Sequence, residues 1–216
     1  MVNLHLKNRL VIIVGSGAEG LGKINTLLTQ NCSILVISAT KTEHIQKLID
    51  DGSIKFEQHR LENVTFLDKY DPILIMATTN DKELNKKIVS HAKRMNCYGY
   101  ASDDPNISDF SHPSVINLHN TVQIAVSTGG KSPTVARDIR MRAQKIFNEV
   151  VTSEDIDMIH LQDISRRAAK NIINKQQDRK KFLYTIMNDS EIKQLLVKHN
   201  LSGAQERMRR LLGDWK

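Results

Sequence analysis

Five consecutive apolar residues, Leu10-Val11-Ile12-Ile13-Val14, run directly into Gly15-Ser16-Gly17-Ala18-Glu19-Gly20. An uninterrupted apolar run of this length predicts a strand buried on both faces, as in a parallel sheet. The glycines that follow match G-x-G-x-x-G. Leu21, Ile24, Leu27 and Leu28 then recur at helical spacing, which predicts a helix from Ala18 to Thr29. Each glycine has a task in such a strand–turn–helix unit. Gly15 permits the tight turn, Gly17 lets a pyrophosphate approach the backbone, and Gly20 lets the helix lie close to the sheet. The free N–H groups of the helix N-terminus complete an anion site. The position at a strand–helix junction favours nucleotide binding over a chance glycine cluster.

The alternation continues along the first hundred residues. Ile34 to Ile37 reads as a second strand, Thr42 to Asp50 as a short amphipathic helix, and Ser53 to Glu57 as a third strand. Pro72 to Ala77 is a fourth strand, Asp81 to Met95 a helix with Leu84, Ile88 and Ala92 inward, and Tyr98 to Ala101 a fifth strand. Strands alternating with helices predict an α/β domain with a Rossmann-like parallel sheet at 1–112. The pattern then changes. Ser114 to Leu118 and Val122 to Ser127 read as two strands joined by a turn at His119-Asn120. Ser132-Pro133 opens a helix reaching about Phe147, and only helical patterning follows Ser153. These stretches predict a small strand–helix segment at 113–150 and an all-helical domain at 151–216.

Composition narrows the partners. The 216 residues carry 31 Lys plus Arg against 24 Asp plus Glu, a net charge of +7. Residues 1–140 hold 16 basic and 14 acidic side chains, and residues 141–216 hold 15 and 10, so the excess lies in the helical tail. Such a chain meets nucleic acid, a membrane surface or an anionic small molecule. No apolar run is long enough to span a membrane. Met1 to Lys7 lacks the apolar region and cleavage site of a signal peptide. Cys32 and Cys97 stand apart and the eight His form no paired motif, which predicts a reducing cytoplasm and no structural metal.

Polar residues gather at the predicted C-terminal ends of strands, where open α/β sheets bind ligands. The second strand ends in Ser38-Ala39-Thr40-Lys41, without the acid that usually grips the ribose; the Ser38 and Thr40 hydroxyls and the backbone are candidate contacts. Lys41 leaves room for a 2′-phosphate, so NAD and NADP both stay open on these residues. Thr78, Thr79 and Asn80 follow the fourth strand, where Thr79 or Asn80 is placed to cap the next helix. Ser102-Asp103-Asp104-Pro105 follows the fifth. A turn accounts for that composition, yet the placement sets Asp103 at the mouth of the nicotinamide crevice, where a carboxylate can take a proton. Gly129-Gly130-Lys131-Ser132-Pro133 reads either as a capped helix entry or as an anion site.

Taken in order, four stretches resemble a known family. They are Gly15 to Lys23, Ala77 to Asp81, Asp103-Asp104-Pro105 with Phe110 and Pro113, and Ser127-Thr128-Gly129-Gly130-Lys131-Ser132-Pro133-Thr134-Val135-Ala136-Arg137. The chain resembles the precorrin-2 dehydrogenase family of siroheme synthase N-terminal type, over about Leu4 to Arg140. The last stretch is the most specific. The resemblance implies a Rossmann domain, a dimerisation segment and a helical domain in a cytoplasmic homodimer. It implies NAD as cofactor and an anionic tetrapyrrole, precorrin-2, as substrate, oxidised to sirohydrochlorin. Asp103 matches the family's catalytic aspartate. Gly15, Gly17, Ala18, Glu19, Gly20, Ser38, Ala39, Thr40, Thr78 and Thr79 fall to the cofactor. Thr128, Gly129, Gly130, Lys131, Ser132 and Arg137 fall to the substrate. Thr128 stands where some relatives carry a phosphorylatable serine. The departures are Ser16 for the middle glycine of the family's loop, Gly20 for a common alanine, Gly22 for a common arginine, and Tyr100-Ala101-Ser102 before Asp103.

Two other readings accompany the dehydrogenase. Some relatives also insert ferrous iron, with the same carboxylate taking the pyrrole protons. A third reading is an NAD-sensing regulatory module whose basic runs, Arg166-Arg167, Arg179 to Lys181 and Arg207 to Arg210, touch nucleic acid. It gives Asp103 and the Gly129 to Arg137 stretch no role, which ranks it last. On the leading reading, the basic residues of the central segment and tail line a substrate cleft.

Overall fold

The computed structural model describes residues 4–60 and 63–215. Met1, Val2 and Asn3, part of the segment read for a leader, lie outside the described residues. The chain divides into two compact units, Met1–His112 and Pro113–Lys216.

The first unit is a five-stranded parallel sheet. Its strands are β1 (Leu10–Val14), β2 (Ser33–Ser38), β3 (Lys55–Gln58), β4 (Leu74–Ala77) and β5 (Tyr98–Ala101), in the order β3-β2-β1-β4-β5. Its helices are α1 (Ala18–Leu27), α2 (Glu43–Asp50) and α3 (Lys82–Arg94). Alternate residues of the central strands enter two separate cores. Val11, Ile13, Val36 and Met76 pack with Ile24 and Leu27 of α1 and Ile45 of α2. Ile12, Val14, Ile37 and Ile75 pack with Ile88, Val89 and Ala92 of α3. Both faces are therefore covered, which is why these strands carry no polar alternation.

Several sequence boundaries shift. The first helix ends at Leu27, and a 3₁₀ turn (Leu28–Gln30) completes the segment. A second 3₁₀ turn (Thr65–Lys69), unmarked by any periodicity, buries Leu67 in the α3-side core. It is tied to α3 by His91, whose Nε2 lies 2.7 Å from Asp68 Oδ1. The cap of α3 is Asp81, not Thr79 or Asn80: its carboxylate accepts from the Leu84 N–H at 3.0 Å. An ionised carboxylate one residue later suits the positive end of the helix better than either alternative.

The second unit opens with an antiparallel hairpin, β6 (Ser114–Leu118) and β7 (Val122–Val126), turned by His119 and Asn120 with positive φ. Helix α4 (Pro133–Val150) packs on it and runs one residue triplet beyond Phe147, because nothing before Val151 breaks the helix. Four helices follow: α5 (Ser153–Ile172), α6 (Gln176–Asn188), α7 (Ser190–Val197) and α8 (Leu201–Gly213). Their core gathers Leu161, Phe182, Ile186, Ile192, Met208 and Leu212. Thr152 and Asp155 form a reciprocal capping box that starts α5. Arg207 of α8 pairs with Asp189 at 3.0 Å, fastening α8 to the residue that caps α7.

Candidate functional site: a nucleotide cleft at the sheet switch point

The strand order reverses between β1 and β4, and a cleft of about 330 Å³ opens at the C-terminal ends of β1, β2 and β4. This is the place where open α/β sheets bind ligands. Gly15, Ser16, Gly17, Ser38, Ala39, Thr40, Thr78, Thr79, Asn80 and Leu84 line it.

The loop geometry explains the glycines. Gly15 has φ +111°, and a Cβ there would lie 2.7 Å from the Thr78 carbonyl oxygen. Gly20 is buried at the start of α1, where a Cβ would lie 2.3 Å from the Gly15 carbonyl oxygen. The loop thus folds back on the helix it opens. Thr78 locks it from the far side, its hydroxyl 3.0 Å from the Val14 carbonyl and 3.2 Å from that of Gly15. Ser16, the departure from an all-glycine loop, donates to the Thr40 carbonyl at 2.7 Å and stands 2.9 Å from the Ser38 hydroxyl. The Ser38 hydroxyl is consequently spent on the loop although Ser38 lines the cleft. Thr40 is exposed at the rim. Ala18 and Glu19 are exposed on the first turn of α1, outside the cleft lining, and Gly20 supports the cleft from beneath.

The β4 and β5 ends form a second cluster. Asn85 of α3, which the sequence reading passed over, is fully buried and joins them. Its Nδ2 donates to Asp103 Oδ1 at 2.8 Å and to the Thr79 carbonyl at 3.0 Å. Its Oδ1 accepts from the Thr79 hydroxyl at 2.7 Å and the Thr79 N–H at 3.2 Å. Asp103 is thereby held beside a residue of the cleft, with its side chain exposed. Asp104 makes the turn instead, accepting from the Asn106 N–H at 2.9 Å. The available signal for Asn85 was a carboxamide on the apolar stripe of α3 shared with Ile88, Val89 and Ala92.

Below β5, Tyr100, Phe110 and His112 form a three-ring cluster with centroids 4.9 to 5.4 Å apart. Lys23 Nζ lies 4.8 Å from the Tyr100 centroid. Burial among these rings, with Lys23 nearby, pushes His112 down to about 4.

The sequence candidates for substrate lie in the second unit. The Thr128 hydroxyl donates to the Ser132 carbonyl at 3.1 Å and accepts the Ser132 N–H at 3.0 Å, closing the turn. Gly129 and Gly130 carry positive φ, and Ser132 caps α4 by accepting from Val135. Lys131 and Arg137 are exposed. Among the described residues no three His, Cys, Asp or Glu side chains gather as a metal site, and no helix is long and apolar enough to cross a membrane.

Sheet order, glycine loop and cleft together define a dinucleotide-binding α/β domain of Rossmann type. Residues 2–114 match a family model described as "Putative NAD(P)-binding", and residues 121–142 match one described as "Sirohaem biosynthesis protein central". The chain belongs to this NAD(P)-binding family. It is 26% identical over 201 residues to siroheme synthase 2 of Aeromonas hydrophila, covering 93% of this chain and 41% of that protein. It is 33% identical over 141 residues to the siroheme synthase of Methylococcus capsulatus, covering 65% and 29%. The chain thus spans less than half the length of these curated relatives. Among solved structures it shares the fold of "SirC, precorrin-2 dehydrogenase", with a TM-score of 0.67, 17% identity, and coverage of 97% of this chain and 98% of that one.

Proposed function

We propose that this chain is an NAD-dependent dehydrogenase that oxidises precorrin-2 to sirohydrochlorin, as a homodimer. The observation that carries the reading is the placement of Asp103, a carboxylate after β5 joined through Asn85 to Thr79, which lines the nucleotide cleft. The names of the relatives and of the structural neighbour supply the substrate class. The cleft fits the dinucleotide: a Cβ at Gly15 or Gly20 would strike backbone, whereas one at Gly17 meets nothing, leaving the approach open. Gly15, Ser16 and Gly17 would hold the pyrophosphate and Ser38 to Thr40 the adenosine end. NAD, when bound, supplies the hydride acceptor.

The oxidation removes two hydrogens from the macrocycle, one as hydride and one as a proton. Asp103 would accept the proton on the carboxylate oxygen not bonded to Asn85. Lys131, next to the Gly129-Gly130 turn, and Arg137 of α4 are both exposed and would meet the substrate's carboxylates. An unpartnered apolar stripe on α4, with Val135, Ile139, Ile146 and Val150 exposed, supports the dimer.

The test mixes the protein with precorrin-2 and NAD and follows NADH together with the sirohydrochlorin spectrum. Turnover is expected in the native protein and lost in Asp103→Ala, with NAD affinity retained. Full turnover by Asp103→Ala would sink the assignment of that residue, and no turnover by the native protein would sink the function.

A further inference from the structure

We infer that Asn85 is the positioning residue of this site: it aims the Asp103 carboxylate and couples it to the cofactor cleft. The inference rests on the catalytic reading of Asp103. Its observations are the burial of Asn85 and the saturation of its amide. The side chain is 0% exposed, on the first turn of α3. Both of its amide hydrogens and its carbonyl oxygen are engaged, toward Asp103 on one side and Thr79 on the other.

The chemistry of the neighbours fixes which way the amide faces. A carboxylate oxygen on one side requires an N–H donor there. The backbone N–H of Thr79 on the other side requires an acceptor. A flipped amide would set oxygen against carboxylate and N–H against N–H, so one orientation is selected. The result is a rigid bridge from the end of β4, which lines the cleft, to the loop after β5. Asp103 Oδ1 is spent on this bridge. Its Oδ2 has no protein hydrogen bond among the described residues, and that oxygen is the one left to receive a proton. A leucine in this place would fill the same core stripe as Ile88 and Val89, so packing alone does not call for a carboxamide.

The variant Asn85→Asp separates positioning from packing. It keeps size, shape and the acceptor for the Thr79 N–H and hydroxyl, but it replaces the amide N–H donors with a carboxylate oxygen that faces Asp103 and the Thr79 carbonyl. At neutral pH the two carboxylates repel, and Asp103 swings from its place. The rate constant kcat with precorrin-2 is expected to fall about tenfold or more, since small displacements of a reacting group cost rates of that order. The Kd for NAD, read by calorimetry, is expected to change by less than kcat, since two of the three hydrogen bonds to Thr79, those from its N–H and hydroxyl, are preserved and the bond to its carbonyl is lost. Lowering the pH lets the paired carboxylates share a proton and re-form the bridge, so kcat of the variant rises toward acid where that of the native protein does not. The exchange Asn85→Asp with Asp103→Asn rebuilds the hydrogen bond in reverse. Its Tm, measured without cofactor, is expected to recover from that of Asn85→Asp, while turnover stays lost because the carboxylate now sits on α3.

Native kcat and a native pH profile in Asn85→Asp, with Asp103→Ala inactive, would overturn the positioning role alone. Full turnover by Asp103→Ala would overturn the reading beneath it, and with it this inference. A reduced kcat with no recovery toward acid would assign Asn85 to packing and overturn the proposal as well.

Discussion

Ser16 and Ser38 share a hydroxyl–hydroxyl hydrogen bond of 2.9 Å, which ties the second residue of the glycine loop to the end of β2. Because the Ser16 hydroxyl donates onward to the Thr40 carbonyl at 2.7 Å, Ser38 is the donor in the pair. The loop proposed for the pyrophosphate and the strand end proposed for the adenosine ribose are thus braced by one side chain. Ser16→Ala removes both bonds, each worth about 1 kcal/mol net. The Kd for NAD, measured by calorimetry, is expected to rise roughly tenfold, and the Tm to fall by several degrees with the lost bonds. An unchanged Kd would show that the brace does not shape the cleft.

The loop glycines divide into two kinds of constraint. Gly15→Ala would force an alanine into φ +111° with its Cβ 2.7 Å from the Thr78 carbonyl. That variant is expected to lose about 2 kcal/mol or more of stability and to unfold at lower temperature. Gly17→Ala meets no protein atom within 4 Å. Its Tm is expected to stay at the native value while NAD binding is lost, since the added methyl occupies the approach of the phosphates. Thermal melts with and without NAD distinguish the pair; nucleotide-dependent stabilisation of Gly17→Ala would contradict the placement of the pyrophosphate.

His112 gives the first unit a pH dependence of predictable sign. Its folded pKa is pushed from 6.5 down to about 4, by burial against Tyr100 and Phe110 and by the nearby Lys23 charge. The unfolded chain therefore binds the extra proton over that interval. Stability is fully present above pH 6.5 and is lost as the pH falls toward about 4. By accessible area the residue counts as exposed, which screens the ring and reduces the size of the effect. His112→Phe keeps an aromatic ring in the cluster and removes the titration. Across that interval its melting temperature is expected to fall less than the native one, and parallel curves would contradict the assignment.

The parts of the fold readable from sequence are those with a period. The apolar strands and the stripes of α1 and α3 announce their burial directly, and the G-x-G-x-x-G turn places the cleft between them. The 3₁₀ turn at Thr65–Lys69 was not legible, because one buried leucine, Leu67, sets no period. The cap at Asp81 was obscured by Thr79 and Asn80, which are also N-cap formers and stand just before it. The position of Asp103 after β5 was readable from sequence, and its catalytic part is a proposal. Asn85 was not legible, because a single polar residue on an apolar stripe declares its partners only once β4 and β5 stand side by side. Lys131 and Arg137 belong to the second unit, and their part in binding substrate stays a proposal for mutagenesis.

The last prediction concerns α4. Val135, Ile139, Ile146 and Val150 are separated by four, seven and four residues, so they stand on one face of the helix, and all are exposed. A four-turn apolar stripe left in water is unfavourable, and in the proposed dimer a second copy of the chain would cover it. In a two-fold dimer the same stripe meets itself, so each substitution acts twice. Ile146→Glu places two carboxylates into the proposed apolar seam, at a cost in desolvation and mutual repulsion. The native protein is expected to elute with the mass of a dimer in size-exclusion chromatography with light scattering, and Ile146→Glu with that of a monomer. The far-ultraviolet dichroism of the variant should remain helical, because Ile146 contributes nothing to the core formed by Leu161, Phe182 and Met208. A native protein that stays monomeric at high micromolar concentration would contradict the dimer and leave the stripe for a different partner.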